Sequence, residues 1–254
     1  MSSSRFHGKV ALVTGGGTGI GHATARAFAR DGATVVVAGR SADELARTVK
    51  LIEQEGGRAS FVTADVTVED DVARMVATTV ERHGGLHIAH NNAGIFGQAA
   101  PVADLDTETW RRVLDVNLTG VFLSMKYEIQ HMRAHGGGAI VNTASNIGAH
   151  GRLPWLGSYA TSKAGVSTLT RAAARDHIGD GIRINAISPG ASDGPMSYLP
   201  GETRERRDAR ITPSIPLGRV GTLDEIAATV LWLACDEAGF AVGHDLVVDG
   251  GATA

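Results

Sequence analysis

A single cysteine, Cys235, excludes a disulfide within the chain. It sits in "VLWLACDEA", an apolar helix-like pattern in which a buried, inert thiol is expected rather than a nucleophile. No charge of one sign dominates. With 24 Lys and Arg against 27 Asp and Glu, a net charge of −3, the chain lacks the basic field that a nucleic-acid partner would want. No apolar run is long enough to span a bilayer, so no membrane partner is expected. The N-terminal "MSSSRFHGK" lacks the apolar stretch of a secretory leader. Linkers, low-complexity segments and internal repeats are also missing, and no spacing of His, Cys, Asp and Glu reads as a catalytic metal site. One domain over 1–254, in a reducing cytoplasmic setting, is the expectation.

What is present is glycine, 33 residues in clusters, together with 43% apolar residues. Short β-branched runs at 9–15, 33–39, 58–65, 87–94, 138–145, 183–190 and 244–251 read as seven strands. Several are almost continuously apolar, as parallel strands covered on both faces must be. Helical patterns lie between them at 20–31, 42–55, 68–83, 107–134, 158–178 and 223–235. This alternation predicts an α/β fold: one doubly wound Rossmann-type domain of about seven parallel strands with helices on both faces. The segment 191–221 interrupts the rhythm with four prolines and a charged middle, "GETRERRDAR". Such an insertion is expected to be a lid over a site, with that middle as a solvated helix face.

The run "TGGGTGIGHATARAFA" follows the first strand and opens a helix. Glycines at 15, 19 and 21 allow a sharp turn and let backbone N–H groups approach a pyrophosphate at the helix N-terminus. A dinucleotide is therefore expected. In NAD-binding folds an acidic residue at the end of the second strand holds the ribose 2′-hydroxyl. Here that position is Gly39, followed by Arg40. A guanidinium without a carboxylate favours NADP(H), with NAD(H) as the alternative if Arg40 is only a surface side chain.

The stretch "GSYATSKAG" places Tyr159 and Lys163 four residues apart, on one face of a helix. A free phenol titrates at about 10, and a neighbouring ammonium favours the phenolate, so the pair can serve as a general acid/base. Ser145 ends a strand in "IVNTASN", where its hydroxyl could bond the same substrate oxygen as Tyr159. Asn92, Ala93 and Gly94 end another strand, and Asn117 places an amide inside an apolar helix, where a polar group needs a reason.

From Thr14-Gly15 to Gly21, through Asp65-Val66, Asn91-Asn92-Ala93-Gly94, Asn117, Ser145, Tyr159-x-x-x-Lys163 and Pro189-Gly190 to Val248-Asp249-Gly250-Gly251, the chain resembles the short-chain dehydrogenase/reductase family along its whole length. The resemblance implies hydride transfer between a nicotinamide cofactor and a carbonyl or alcohol carbon. Tyr159 would move the proton, Lys163 would lower the tyrosine pKa and bind the nicotinamide ribose, and Ser145 would polarise the substrate oxygen. Asn117 would hold a relay water. Gly15, Thr18, Gly19, Ile20 and Gly21 would cradle the pyrophosphate, with Arg40 at the adenosine end. Asp65 and Val66 would face the adenine, and Asn92, Ala93 and Gly94 the ribose. Pro189, Gly190 and Ser192 would meet the nicotinamide. The family also implies a homo-oligomer, commonly a tetramer, formed through 107–134, 158–178 and the C-terminal segment.

Three departures stand out. Ser192 and Gly194 replace the aliphatic residue and threonine that often follow the Pro-Gly pair, the Ser145–Tyr159 loop is one residue longer than expected, and His22 and His90 occupy unusual places. The expected pocket wall is apolar: Phe96, Ile147, His150, Leu153, Trp155, Met196, Tyr198 and Leu199, with Ile147, Trp155 and Met196 closest to substrate. That favours a hydrophobic ketone or secondary alcohol, unless Leu153 and Trp155 face a neighbouring subunit. One alternative is a 3-oxoacyl-thioester reductase that uses Arg204, Arg206, Arg207 and Arg210 for an acyl carrier. Another is a non-catalytic NADP sensor or scaffold, against which the intact Ser145, Tyr159 and Lys163 speak. A dehalogenase relative without nucleotide fits poorly with a whole glycine loop.

Overall fold

A computed structural model describes residues 4–254; residues 1–3, the head of the stretch read as lacking a leader, lie outside the described residues. Strands β1 (Val10–Thr14), β2 (Thr34–Gly39), β3 (Arg58–Thr63), β4 (Ile88–Asn91), β5 (Gly138–Thr143), β6 (Ile182–Pro189) and β7 (Asp245–Val248) form one sheet. Its order is β3-β2-β1-β4-β5-β6-β7 and every pair is parallel. The order reverses between β1 and β4, and a doubly wound sheet opens a crevice at such a point.

The helices are α1 (Gly19–Arg30), α2 (Ala42–Gln54), α3 (Glu69–His83), α4 (Thr107–Leu114), α5 (Gly120–Ala134), α6 (Gly157–His177), α7 (Arg204–Ile211) and α8 (Leu223–Ala234). Period-two alternation within the buried strands sorts their side chains between two cores. Val36 and Ala38 join Leu12, Ala89 and Ile140 against α3, α5 and α6. Val35 and Val37 join Val13, Val141 and Ile187 against α1, α2 and α8. The carbonyls that end α8 are gathered by one side chain. Arg183 of β6 donates to Leu233 O and Cys235 O at 2.8 Å, to Ala238 O at 3.2 Å and to Ala234 O at 3.3 Å.

All seven expected strands are present, six with shorter ends and β6 shifted one residue toward the N-terminus. Asn92–Gly94 and Asp249–Gly251 leave the sheet as turns, the latter through left-handed glycines at 250 and 251. The expected single helix over 107–134 is interrupted by a π-helical turn, Asp115–Thr119, that joins α4 to α5. Hydrophobic periodicity cannot reveal one wide turn that leaves the apolar face continuous. Among the described residues no helix is long and apolar enough to cross a membrane.

Burial holds several titratable groups in their neutral forms. Desolvation pushes His22, His83, His87 and His131 below the ordinary 6.5, and takes the fully buried His90 down to about 3. Unfolding lets these rings take up protons, so their contribution is present above pH 6.5 and is lost as pH falls. Glu128 works in the opposite sense. Its buried carboxyl is pushed up to about 7, so it keeps a proton that the unfolded chain releases above 4.5, and its contribution fades as pH rises through 7. The unfolding midpoint should therefore drop between pH 7.5 and 5.5, and Glu128→Gln should steepen the drop. Measured from pH 4.5 to 8, the variant should gain on the order of 3 kcal/mol relative to the parent. A difference that does not change with pH would show that Glu128 is ionised in the folded chain.

Candidate active site

The ends of β1 and β4 are tied together at the crevice. Thr14 Oγ1 accepts from the backbone N–H groups of Asn92 and Ala93 at 3.0 and 3.1 Å, and Asn92 Nδ2 donates to Thr14 O at 3.1 Å. The chain then turns through Gly15 and Gly19 at φ +63° and +54°, conformations that favour glycine. A methyl group on Gly21 would lie 2.6 Å from Asn92 Nδ2, so the close approach of α1 to this turn also requires glycine. Thr18 caps α1 in extended conformation with its side chain unused, and the first turn carries no acidic residue. The helices α2, α3 and α8 all carry acids in their first turns. The N–H groups that open α1 are thus left for an outside anion, and the residues fit a dinucleotide pyrophosphate. Ile20, half-buried, packs into the α1 side of the core. His22 bonds Thr48 Oγ1 at 2.8 Å, which in turn donates to Gly16 O at 3.0 Å, so this histidine braces the loop from behind.

Beyond the loop lies a recess of about 80 Å³ lined by Gly15, Gly17, Thr18, Gly39, Arg40, Ser41, Glu44 and Leu45. Arg40 is exposed at its rim, where a guanidinium could meet a phosphate. Glu44 corrects the expectation that no carboxylate stands near Arg40. The first turn of α2, capped by Ser41, brings Glu44 Oε2 to 3.4 Å from the Cβ position of Gly17. Asp65 and Val66 follow β3. The Asp65 carboxylate accepts from Thr67 N and Oγ1 at 2.9 and 2.8 Å, and Val66 is buried against Gly120.

The opening of α6 presents Tyr159 and Lys163 one turn apart, both buried. Lys163 Nζ donates to Thr143 O at 2.7 Å, at the end of β5. Its full burial without a carboxylate partner lowers its pKa to about 8. The phenol departs from expectation. Burial raises its pKa above the ordinary 10, the neighbouring Ser145 hydroxyl draws it partly back, and the ammonium is 6.0 Å from the centre of the ring. Ser145 Oγ also accepts from Ile147 N at 3.1 Å. Asn117 sits in the π-helical turn with both amide N–H groups used. Its Oδ1 accepts from Ile95 N at 2.8 Å, and its Nδ2 donates to Ile95 O at 2.9 Å and Ser162 Oγ at 3.1 Å. The amide therefore builds the wall of the site. Gly94 closes that wall: a methyl group on it would lie 3.2 Å from Asn117 Oδ1 and 3.4 Å from Lys163 Nζ. His90 bonds Thr143 Oγ1 at 2.9 Å, beneath the carbonyl that holds Lys163.

Pro189 ends β6, Gly190 N donates to Val248 O at 2.9 Å, and Ser192 bridges to Gly221, so this run reaches the site from the far edge of the crevice. Phe96 lies tilted on Tyr159 with ring centroids 4.7 Å apart. Ile147 is half-buried beside Ser145, whereas Met196 and Trp155 are 52% and 64% exposed. Trp155 is the one non-glycine residue with positive φ, +66°, among the described residues. Two expected wall residues bond away from substrate: His150 Nε2 pairs with Asp245 Oδ2 at 2.9 Å, and Tyr198 OH donates to Asp193 Oδ1 at 3.0 Å. Leu153 and Leu199 are exposed. No three His, Cys, Asp or Glu side chains among the described residues are grouped to hold a metal.

The chain resembles known proteins along its whole length. A family model described as Enoyl-(Acyl carrier protein) reductase matches residues 15–253. Cis-4-hydroxycyclohexanecarboxylate dehydrogenase of Sinomonas cyclohexanicum is 44% identical over 252 residues, covering 98% of each chain. Cyclohexanol dehydrogenase of Acinetobacter sp. (strain SE19) is 41% identical over 253 residues, covering all of this chain and 98% of that one. The crystal structure of a short-chain type dehydrogenase/reductase from Mycobacterium marinum superimposes with a TM-score of 0.93 at 38% identity, covering 99% of this chain and 98% of that one. With both sequence and fold shared from end to end, the chain belongs to the short-chain dehydrogenase/reductase family, oxidoreductases that act on CH–OH groups.

Proposed function

We propose that the protein interconverts hydrophobic alicyclic ketones and secondary alcohols with NADP(H), and that 191–221 is the lid over its site. The observation that carries this reading is a buried phenol close to Ser145, covered by an aromatic ring and backed by a buried ammonium, at the C-terminal ends of the strands. Both curated relatives described above are named for alcohols on a cyclohexane ring, which supports the ring-shaped substrate. The bound dinucleotide would supply the hydride chemistry. In ketone reduction Tyr159 donates its proton to the carbonyl oxygen, and a phenol kept protonated by burial suits that task. Ser145 bonds the same oxygen, and Lys163, anchored by Thr143, stabilises the phenolate left behind. Gly15, Thr18, Gly19, Ile20 and Gly21 hold the phosphates. Asp65, Val66, Asn92, Ala93 and Gly94 line the adenosine, and Pro189, Gly190 and Ser192 line the nicotinamide.

An acyl-carrier substrate is less well served. Arg204, Arg207 and Arg210, the basic side chains that would greet a carrier, are spent on acids of their own segment. The reading takes the enzyme to be a cytoplasmic homotetramer. Phe122 of α5, Trp232 of α8 and Phe240 beyond it are exposed on the single chain, and partner subunits would cover them. Light scattering should give about four times 26.4 kDa, and a monomer mass would remove this part.

Loss of NADPH absorbance with cyclohexanone-type ketones should be fast in the parent and at least about a hundredfold slower in Tyr159→Phe. Turnover confined to polyols or sugars would reject the hydrophobic substrate. Fluorescence titration should show that Arg40→Ala weakens NADPH about tenfold while sparing NADH. Glu44→Gln should do the reverse, tightening NADPH by removing a like charge from the recess. Equal effects on both nucleotides would assign the recess no part in the choice.

A further inference from the structure

The sequence "RERRDARI" of α7 has no apolar stripe, so burial of hydrophobic surface does not explain why it sits down on the domain. Its inner face is made of arginines instead. Arg204, Arg207 and Arg210 recur every three residues, and all three reach back to the 193–202 stretch. Arg204 and Arg210 do so at the surface, where ion pairs contribute little. Arg207 is different: its side chain is 1% exposed. Its guanidinium donates from Nε to Asp208 Oδ1 at 2.6 Å, from Nη1 to Ser197 Oγ at 2.7 Å and from Nη2 to Asp193 Oδ1 at 2.8 Å. The Tyr198 ring covers its face at 4.5 Å, and the Tyr198 hydroxyl donates to the same Asp193 oxygen. The expected solvated face is present at Arg204, Glu205, Arg206 and Arg210, while Arg207 turns inward as a buried ionic joint.

The other end of the joint lies at the cofactor site. Asp193 follows Ser192, its backbone N–H is held by Gly221 O at 2.9 Å, and Pro195 Cδ lies 3.5 Å from the Cβ position of Gly19 in the phosphate loop. Met196, a candidate substrate contact, stands between Pro195 and the Ser197 hydroxyl that Arg207 grips. Resting on the reading of 191–221 as a lid, we infer that Arg207 is the positioning residue of that lid: through Asp193 and Ser197 it sets where Pro195 and Met196 lie over the nucleotide loop and substrate. A guanidinium whose three nitrogens each engage an acceptor fits one arrangement of these partners, and loss of Asp193 or Ser197 leaves a buried donor unpaired while Asp208 still meets the charge. The joint therefore acts on how tightly the closed complex is held. It does not act on the proton transfer at Tyr159, which the sheet and α6 position.

The test compares Arg207→Met, Arg207→Lys, Asp193→Asn and the double variant R207M/D193N. Arg207→Met should raise the KM for a cyclohexanone-type ketone about tenfold, with kcat within about twofold of the parent. Thermolysin should cut within 193–211 about tenfold faster, while the unfolding midpoint stays within about 2 °C. Asp193→Asn should do the same, Arg207→Lys should recover part of the loss, and the double variant should cost no more than either single. Additive losses, unchanged KM and cleavage, or kcat falling in step with stability would overturn the inference. If Arg207→Met does not fold, Arg207→Lys and Asp193→Asn decide the question by the same KM-against-kcat split and cleavage rate. A parent enzyme that turns over no ketone with either nicotinamide would reject the functional reading, while cleavage of the lid and NADPH affinity would still judge the joint.

Discussion

A buried ammonium organises the candidate active site. Lys163 has no acid beside it; its charge is met by the Thr143 carbonyl at 2.7 Å. Removing a cation from water is costly, and a pKa drawn down to about 8 is the visible trace of that cost. The neighbours are arranged around it. Gly94 passes close to Nζ, with a Cβ position 3.4 Å from it, and the Lys163 charge adds to burial in holding His90 neutral. Neutral His90 in turn bonds the Thr143 hydroxyl from below. The carbonyl that receives the ammonium is thus held on both sides, by the β5–β6 ladder and by an imidazole.

A second polar layer lies under this one, inside the apolar core. Asn91 of β4 donates to Glu128 Oε2 of α5 at 2.9 Å and to Asn142 Oδ1 of β5 at 3.0 Å, and Asn142 donates to Thr170 Oγ1 of α6 at 2.9 Å. Four elements are joined by hydrogen bonds of fixed direction where apolar packing alone would tolerate sliding. Glu128 Oε1 and Asn91 Oδ1 find no partner, and both are acceptors when the carboxyl is ionised. That agrees with a carboxyl pushed upward until it keeps its proton near neutrality. The same layer sets how α5 and α6 approach the sheet, and so where Tyr159 emerges.

The two ends of the cofactor groove are built on different physics. The phosphate end relies on what is left out: no cap from Thr18, no acid in the first turn of α1 and no side chains at Gly15, Gly19 and Gly21. The substrate end relies on charge. The 193–211 segment closes on itself through arginine–acid contacts, with Arg207 at their centre. The sheet's own helices are held differently, by apolar faces committed to the two cores.

Most of the framework was legible in the chain because its signals are local. The seven strands follow from β-branched apolar runs, the phosphate loop from glycine spacing, and the Tyr159–Lys163 pair from a four-residue interval on one helix. Contacts between distant residues were not legible. No periodicity announces the π-helical turn at Asp115–Thr119, which directs Asn117 to Ile95 and Ser162. The strand end at Gly39 suggested a recess free of carboxylate, yet Glu44 arrives there from the next helix; its place three residues beyond the Ser41 cap was the available clue. Charge alone made α7 look solvated, since burial of Arg207 depends on Asp193 and Ser197 ten or more residues away. The sequence by itself determined the fold class and placed the glycine loop and the Tyr159–Lys163 pair, because each depends on a repeat or a spacing within one element. Only the tertiary structure decided the protonation of the site, since the pKa values of Tyr159, Lys163 and His90 are set by desolvation, and desolvation exists only once the layers close over them.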